Sequence, residues 1–558
     1  MKKLIYFLTL FLVFGCHKDA EFFVPDASKT EQFVKSGFAG LVSDEQGIPI
    51  SGAVVTIGSL WTMTDINGAY FIENASVNIE RAFATVSKTE YYESSRTLTA
   101  KVNTTISLNF ILTRKQEIGT FAVTAGGTFS LPDGAVLEIP VDGLADFSGE
   151  ANLYGNTWDL IDINLSLQMP GDFIGEDVNG EEKSLIPYGL IVIDAEETSG
   201  ESLTIADNKT IKISIPLPDN NPPAVVALWL FDEIEGIWKQ KGTATLEGQF
   251  YIAQVNEFGY WAIAEAAEKV TISGNVLRDG EGVPNILMAL RNINTGMTLF
   301  SYSNSRGAYN FKIASNSTVK VGVYSKNCNE FNTSSDIVVS ENNIEDQNFA
   351  INNGITRYSG LATDCNKEPI TDGYAIVTGQ TVIKLDETGR FNNIISDACL
   401  STLDFQVYDA RSQEVALVAT PENISPVQVH LVACEDLNEF TNLNYNSRSL
   451  LLSAEAEANL QPLGSPDVGR IAIEDESIGM LAFEFRGETA GTYMVDNLVF
   501  FDQLNDQSFE IDFVEVAIAL NETAATGEPL TGSYEGSFTD NNGATHSLSG
   551  DFRVIKDN

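Results

Sequence analysis

Enzyme chemistry at neutral pH draws on a short list of side chains, and this chain holds few of them. It has three histidines and five cysteines among 558 residues. A zinc peptidase centre needs a His-x-x-Glu pair and a second histidine on one metal. His17 is followed at the third position by Ala20, His430 by Ala433 and His546 by Ser549, so the sequence lacks that motif. Serine hydrolysis needs a nucleophile, a base and an orienting acid, and no Gly-x-Ser-x-Gly elbow occurs. His430 sits in the alternating run 427–432, opposite Val427 and Val429, which predicts a solvated strand face. His546, beside a hairpin turn, is expected at the surface. A glycosidase would need only two carboxylates, but 77 Asp and Glu residues make any single pair uninformative. The expectation is a protein that is not an enzyme, with a carboxylate-dependent glycoside hydrolase as the remote alternative.

Two binding chemistries remain. Calcium takes hard oxygen ligands, and the loop from Gly175 to Glu182 gathers Glu176, Asp177, Glu181 and Glu182. The other reading of that loop is a solvated acidic turn, and no further metal or cofactor is expected. A glycan needs an exposed aromatic platform with polar groups beside it. Trp61 is the candidate, since it follows Gly58-Ser59-Leu60 off the main apolar alternation; packing in a core or between domains is its alternative. Trp229 and Trp238 flank a hairpin and are expected in a core. Lys and Arg number 33 against the 77 acids, for a net charge of −44. That field repels phosphate backbones, so no nucleic-acid partner is expected. Apolar residues at 43% still supply packed cores.

The N-terminus bears on the compartment. Lys2 and Lys3 precede an apolar run from Leu4 to Gly15, too short to span a bilayer core, which takes about 20 residues. It reads as the apolar region of a signal peptide, residues 1–15. The run ends Val13-Phe14-Gly15-Cys16, which resembles a bacterial lipobox. The resemblance implies cleavage before Cys16 and acylation of that cysteine, which would hold the chain to a membrane. The following Lys18-Asp19-Ala20-Glu21 is similar to the surface-export signal of Bacteroidetes lipoproteins, favouring the outer face of the outer membrane over the periplasmic one. Residues 16–36 then form a polar tether. Cys328, Cys365, Cys399 and Cys434 are an even set in an oxidising compartment and suggest two disulfides, with all three pairings open.

One pattern recurs three times. Gly40, Pro49, then Asp65-Ile66-Asn67-Gly68-Ala69-Tyr70-Phe71 form the first copy. Gly274, Pro284, then Asn304 to Gly307 with Tyr309 and Phe311 form the second, and Gly360, Pro369, Asp386 to Gly389 and Phe391 the third. From the first glycine to the proline the spacing is 9, 10 and 9 residues, and from the proline to the later glycine 19, 23 and 20. An alternating strand, a Gly/Pro turn, a β-branched strand and an Asp-x-x-Gly hairpin predict a small sandwich, with the Asp bonding its own backbone and the Gly at positive φ. The pattern resembles the carboxypeptidase regulatory-like domain, a transthyretin-like sandwich close to carbohydrate-binding folds. That resemblance covers residues 37–114, 269–352 and, divergently, 355–434, and it implies a fold more than an activity.

Residues 118–266 read as another all-β module, with a hairpin around Gly126–Pro140 and a strand at 211–217. It is similar to the ZU5-type middle modules of bacteroidete surface lipoproteins. Residues 436–558 predict a C-terminal antiparallel domain, from the run 511–520 and the hairpin 531–554; residues 451–460 are the only helix-like composition. The whole predicts an all-β, lipid-anchored surface scaffold or binding module. Its tandem sandwiches would act as spacers, and its partner would be a glycan or a surface protein.

Overall fold

The computed structural model describes residues 32–557 except 101, 103, 218–222, 285, 305, 326–329, 335, 352–354, 378–380, 397–402, 420–426, 434–438, 447, 453–455, 476–478, 504–506 and 522. Strands make nearly all of the regular structure. Among the described residues the one helix is the single turn Leu165–Gln168, and no helix is long and apolar enough to cross a membrane.

The three repeats build three sandwiches on one plan. In the first, Phe33–Asp44 lies between antiparallel Ala69–Asn78 and parallel Thr105–Ser107. The facing sheet runs Leu60–Met63, Val54–Ile57, Ala82–Ser87, Ser94–Leu98. In the third, Ile355–Asp364 lies in the same way between antiparallel Arg390–Ser396 and parallel Val427–Ala433.

The recurring residues have specific reasons. Gly40 pairs across the sheet with Tyr70, and a Cβ on it would fall 1.9 Å from the Leu108 carbonyl oxygen. The bare backbone lets the Tyr70 ring cross the strand, and its hydroxyl donates to that carbonyl at 2.6 Å. Gly274 pairs with Tyr309, whose hydroxyl donates to the Gln347 carbonyl, and a Cβ there would lie 2.0 Å from the same oxygen. Gly360 pairs with Phe391, and the Phe391 ring itself fills the space, 2.2 Å from where a Cβ would sit. The turns agree as closely. Asp65 Oδ1 accepts from the N–H groups of Asn67 and Ala69, Asn304 Oδ1 from Arg306 and Ala308, and Asp386 Oδ1 from Thr388 and Arg390. Gly68, Gly307 and Gly389 follow at φ of 71°, 78° and 72°, where a side chain would be strained.

The middle module is an 11-stranded sheet between Glu117 and Ala267. It has two apolar clusters, one around Ile193, Ile213, Tyr251 and Trp261, the other around Trp229, Phe231, Trp238 and Tyr260. At the C-terminus the strands Pro529–Asp540 and Thr545–Ile555 form the expected hairpin. The run Ile511–Leu520 is a strand whose Val516, Ile518 and Leu520 are buried. The first sheet of the third sandwich continues into this region through the parallel contacts Gln428–Arg448 and Val429–Ser449, giving one 13-stranded sheet. The helix-like residues 451–460 contribute the strands Arg448–Leu452 and Ala456–Asn459. Leu450, Leu452, Ala458 and Leu460 are all buried at a period of two, and the strands on either side supply the pairing that local propensity does not foresee.

The sandwiches are not separate spacers. Arg81 of the first forms an ion pair with Asp172 of the middle module at 3.1 Å and donates to the Gly236 carbonyl at 2.8 Å. Gly171 N–H donates to the Ser95 carbonyl at 3.0 Å. Tyr374 of the third sandwich donates its hydroxyl to Asp65 at 2.6 Å, beside an apolar cluster of Ala69, Phe71, Ile376, Val382 and Tyr408. The turn that closes the first repeat thus also docks the third.

Candidate functional site

Leu60–Met63 is the edge strand of its sheet. Trp61 pairs with Thr56 and Met63 with Val54, while the alternating Val55 and Ile57 point into the core. Trp61 and Met63 therefore take the outer face. Trp61 is 66% exposed, and Leu60, Met63 and Ile66 are exposed around it. The far end of the same outer face is covered: Phe83 packs against Phe231 at 6.4 Å, and Thr97 donates its hydroxyl to the Gly236 carbonyl at 3.1 Å. Trp229 and Trp238 are buried as expected. Their indole N–H groups donate to the carbonyls of Ala264 and Asp172 at 2.9 and 2.8 Å.

A cleft of about 1090 Å³ runs between the first sandwich and the middle module, with Val54 and Ser87 on one wall and Tyr154, Asp194 and Glu196 on the other. Among its lining residues, Lys115 bonds Asp194 at 2.7 Å and Glu196 at 2.5 Å. Its ammonium lies 6.0 Å from the Tyr92 ring and 5.8 Å from that of Tyr154, within cation–π range. Burial opposes the Lys115 charge, but the hydrogen bonds to Asp194 and Glu196 outweigh it and hold the pKa above the usual value. Burial raises the carboxyl pKa of Glu93 and of Glu233, the latter also through repulsion from Glu93 and Asp194. The cleft thus offers carboxylate acceptors, the cations Lys88, Arg114 and Lys115, and tyrosine rings, and its lining residue Val54 pairs with Met63 on the strand that carries Trp61. Those groups suit a polyhydroxylated ligand, with ring faces on the aromatics and hydroxyls on the acids. Sequence pattern alone missed this cleft, because its groups come from segments nearly two hundred residues apart.

The acidic loop is less available to calcium than its composition suggested. Glu176 bonds Lys239 at 2.5 Å, Glu181 bonds Lys183 at 2.9 Å, and Glu182 bonds Lys269. Asp177 caps its own turn, accepting from Asn179 and Glu181 N–H. Among the described residues no group of three or more His, Cys, Asp or Glu is placed to hold a metal ion.

Both folded-region histidines differ from expectation. His430 is 1% exposed, with Nε2 3.1 Å from Thr363 Oγ1. Its strand is interior, paired on both edges, and Val427, Val429, Leu431 and Val432 are buried with it. Alternation within one strand cannot reveal a second covering layer. His546 packs on Phe538 at 4.9 Å, with Nε2 3.1 Å from Asp540 Oδ2 and Nδ1 3.0 Å from the Tyr445 hydroxyl. Cys365 has its sulfur 3.8 Å from the Ala433 carbonyl. Cys16, Cys328, Cys399 and Cys434 lie outside the described residues.

No protein family and no curated protein matches the chain. Among solved structures it is similar to a streptococcal ancillary pilin, at 8% identity over 40% of this chain and 95% of that one, with a TM-score of 0.14. The shaft pilin SpaA of Lactobacillus rhamnosus GG is similar at 9% identity over 30% and 99%, with a TM-score of 0.18. BcpA, the major pilin subunit of Bacillus cereus, is similar at 10% over 57% and 99%, with a TM-score of 0.13. Likeness at that level leaves the function to be argued from this chain's own surface.

Proposed function

We propose that the chain is a non-catalytic, lipid-anchored surface protein of the outer membrane, a scaffold of docked β-units that binds a glycan at the Trp61 edge and the cleft beside it. The observation that carries this reading is the 66% exposure of Trp61 on an edge strand, at the open end of a sheet face whose far end is covered by the middle module. The lipobox-like Val13 to Cys16 supports the anchor, and Lys18-Asp19 supports the outer face. In that oxidising setting we pair Cys365 with Cys434. Support comes from the parallel neighbours Asp364 and Ala433 and from the Cys365 sulfur lying beside the Ala433 carbonyl.

A second reading, docking of a protein strand, is favoured by the free edge that Leu60–Met63 presents. The test has two steps. Intact cells expressing the native chain and Cys16→Ala are shaved with protease and labelled for lipid; native protein that is labelled and shaved is the expected result, and an unlabelled native chain overturns the anchor. A glycan array is then probed with native protein and Trp61→Ala. Loss of a glycan signal in the variant, with unchanged thermal stability, is expected because an exposed ring contributes little to folding. Equal signals overturn the glycan reading, and turnover of a bound glycan overturns the non-catalytic one.

A further inference from the structure

We infer that the cavity where the first sandwich, the middle module and the second sandwich meet is a binding site for a small organic monocarboxylate with an apolar or aromatic body. The cavity measures about 340 Å³, at the small end of ligand pockets. Its walls are mainly apolar: Leu98 and Leu108 from the first sandwich, Leu167 from the middle module, and Leu287 and Phe300 from the second sandwich.

Set into this lining is Arg96. Its Nη1 is shielded from water and has no hydrogen-bond partner among the described residues. A buried donor on a charged group that is left unpaired is among the costlier features a fold retains. The nearby carboxylate does not answer it, because Asp172 is held by both guanidinium nitrogens of Arg81, at 3.1 and 3.3 Å. Burial pushes the Arg96 pKa down to about 10, so the side chain stays cationic at neutral pH.

A second donor points the same way. The Ser166 hydroxyl is also buried without a partner, and it lines an adjoining space of about 160 Å³ that shares Arg96, Leu98 and Phe300 with the first. Around the two spaces stand the cations Arg81, Arg96 and Lys312 against the acids Asp172 and Glu80, the latter 3.7 Å from Lys312. One positive charge is left over, in a chain whose net charge is −44. One unpaired guanidinium and the unpartnered Ser166 hydroxyl, in a mainly apolar lining that also carries Asn109, Asn164 and Tyr302, match a monoanion with an apolar body; a phosphate dianion would be left under-neutralised.

The test titrates the full chain with benzoate and phenylacetate, and with benzamide and phenylacetamide as neutral isosteres, by ligand-observed NMR and calorimetry. Saturable binding of the acids at one site is expected, with the amides weaker by at least about tenfold. Arg96→Met should erase that preference. Leu287→Trp, which keeps Arg96 but fills the cavity, should block both acids and decides the matter if Arg96→Met fails to fold. Acids that do not bind, acids that bind no better than their amides, or acids unaffected by Leu287→Trp would overturn the proposal and leave Arg96 satisfied by a trapped water alone.

Discussion

The first and third sandwiches share a frame and differ at one edge. In both, a glycine on the central strand faces an aromatic ring, and an Asp-x-x-Gly turn closes the hairpin with the same two hydrogen bonds. The facing sheets begin with equivalent edge strands, Leu60–Met63 and Thr381–Lys384. On the first, the outer-face position opposite Thr56 is Trp61, open to solvent. On the third, the position opposite Ile376 is Val382, buried against the first sandwich. The second sandwich places Phe300 opposite Ala289, and that ring closes the Arg96 cavity. One frame therefore meets three surroundings, namely open solvent, a cavity wall and a docking contact, with the edge strand deciding which. The frame is set by backbone demands and the role by a single outward side chain.

The sharpest way to break the comparison is at the two glycines. A Cβ at residue 40 meets a backbone carbonyl, that of Leu108, which cannot move without parting two strands. At residue 360 it meets the Phe391 ring and a Val429 methyl, which are side chains. Gly40→Ala is expected to cost more than about 3 kcal/mol, and Gly360→Ala about 1–3 kcal/mol. Phe391→Leu should partly rescue Gly360→Ala, whereas Tyr70→Leu should not rescue Gly40→Ala. Hydrogen exchange resolved by peptide is the measurement, because a chain of several units need not unfold in one step. Equal costs, or rescue in both pairs, would mean that the two frames are held in the same way.

A smaller effect is expected at the aromatic itself. Tyr70 donates to the Leu108 carbonyl from a buried ring, and Phe391 makes the same packing without a hydroxyl. Tyr70→Phe should cost about 1 kcal/mol and quicken exchange around residues 105–112, leaving the third sandwich unchanged. No change at 105–112 would show that the hydroxyl is incidental to the glycine–aromatic pair.

What the sequence made legible follows the same division. Alternation, β-branched runs and Asp-x-x-Gly turns are local, so the all-β class, the turn bonds of Asp65 and Asp386 and the buried places of Trp229 and Trp238 could be read from it. His430 could not, because its burial depends on strands from residues 355–364 and 448–452 closing on both edges. Nor could the docking of Tyr374 on Asp65, a contact across 309 residues. Arg96 was invisible for the same reason: in sequence it is one charged residue in an alternating strand, and only the meeting of three units leaves it without a partner.

The smallest expected effect tests whether the turn acid acts through its charge or its shape. The Asp386 carboxyl is held below the usual carboxylate range, first by the N–H of Arg390 and then by the hydroxyl and N–H of Thr388. A carboxyl lowered by folding adds stability above its unfolded pKa and loses it as pH falls through the folded one. Acid should therefore loosen the third hairpin, read as faster exchange around residues 384–391 after correction for the intrinsic rate. Asp386→Asn keeps the accepting Oδ1 and removes the titration, which is the arrangement the second sandwich already has in Asn304. The variant should match the native chain near neutral pH and lose the acid-dependent part of the exchange. An unchanged acid slope would place the sensitivity in other carboxylates and make the Asp386 charge irrelevant. A hairpin loosened at every pH would mean that the charge itself holds the turn, and that Asn304 succeeds in its own sandwich through neighbours the third one lacks.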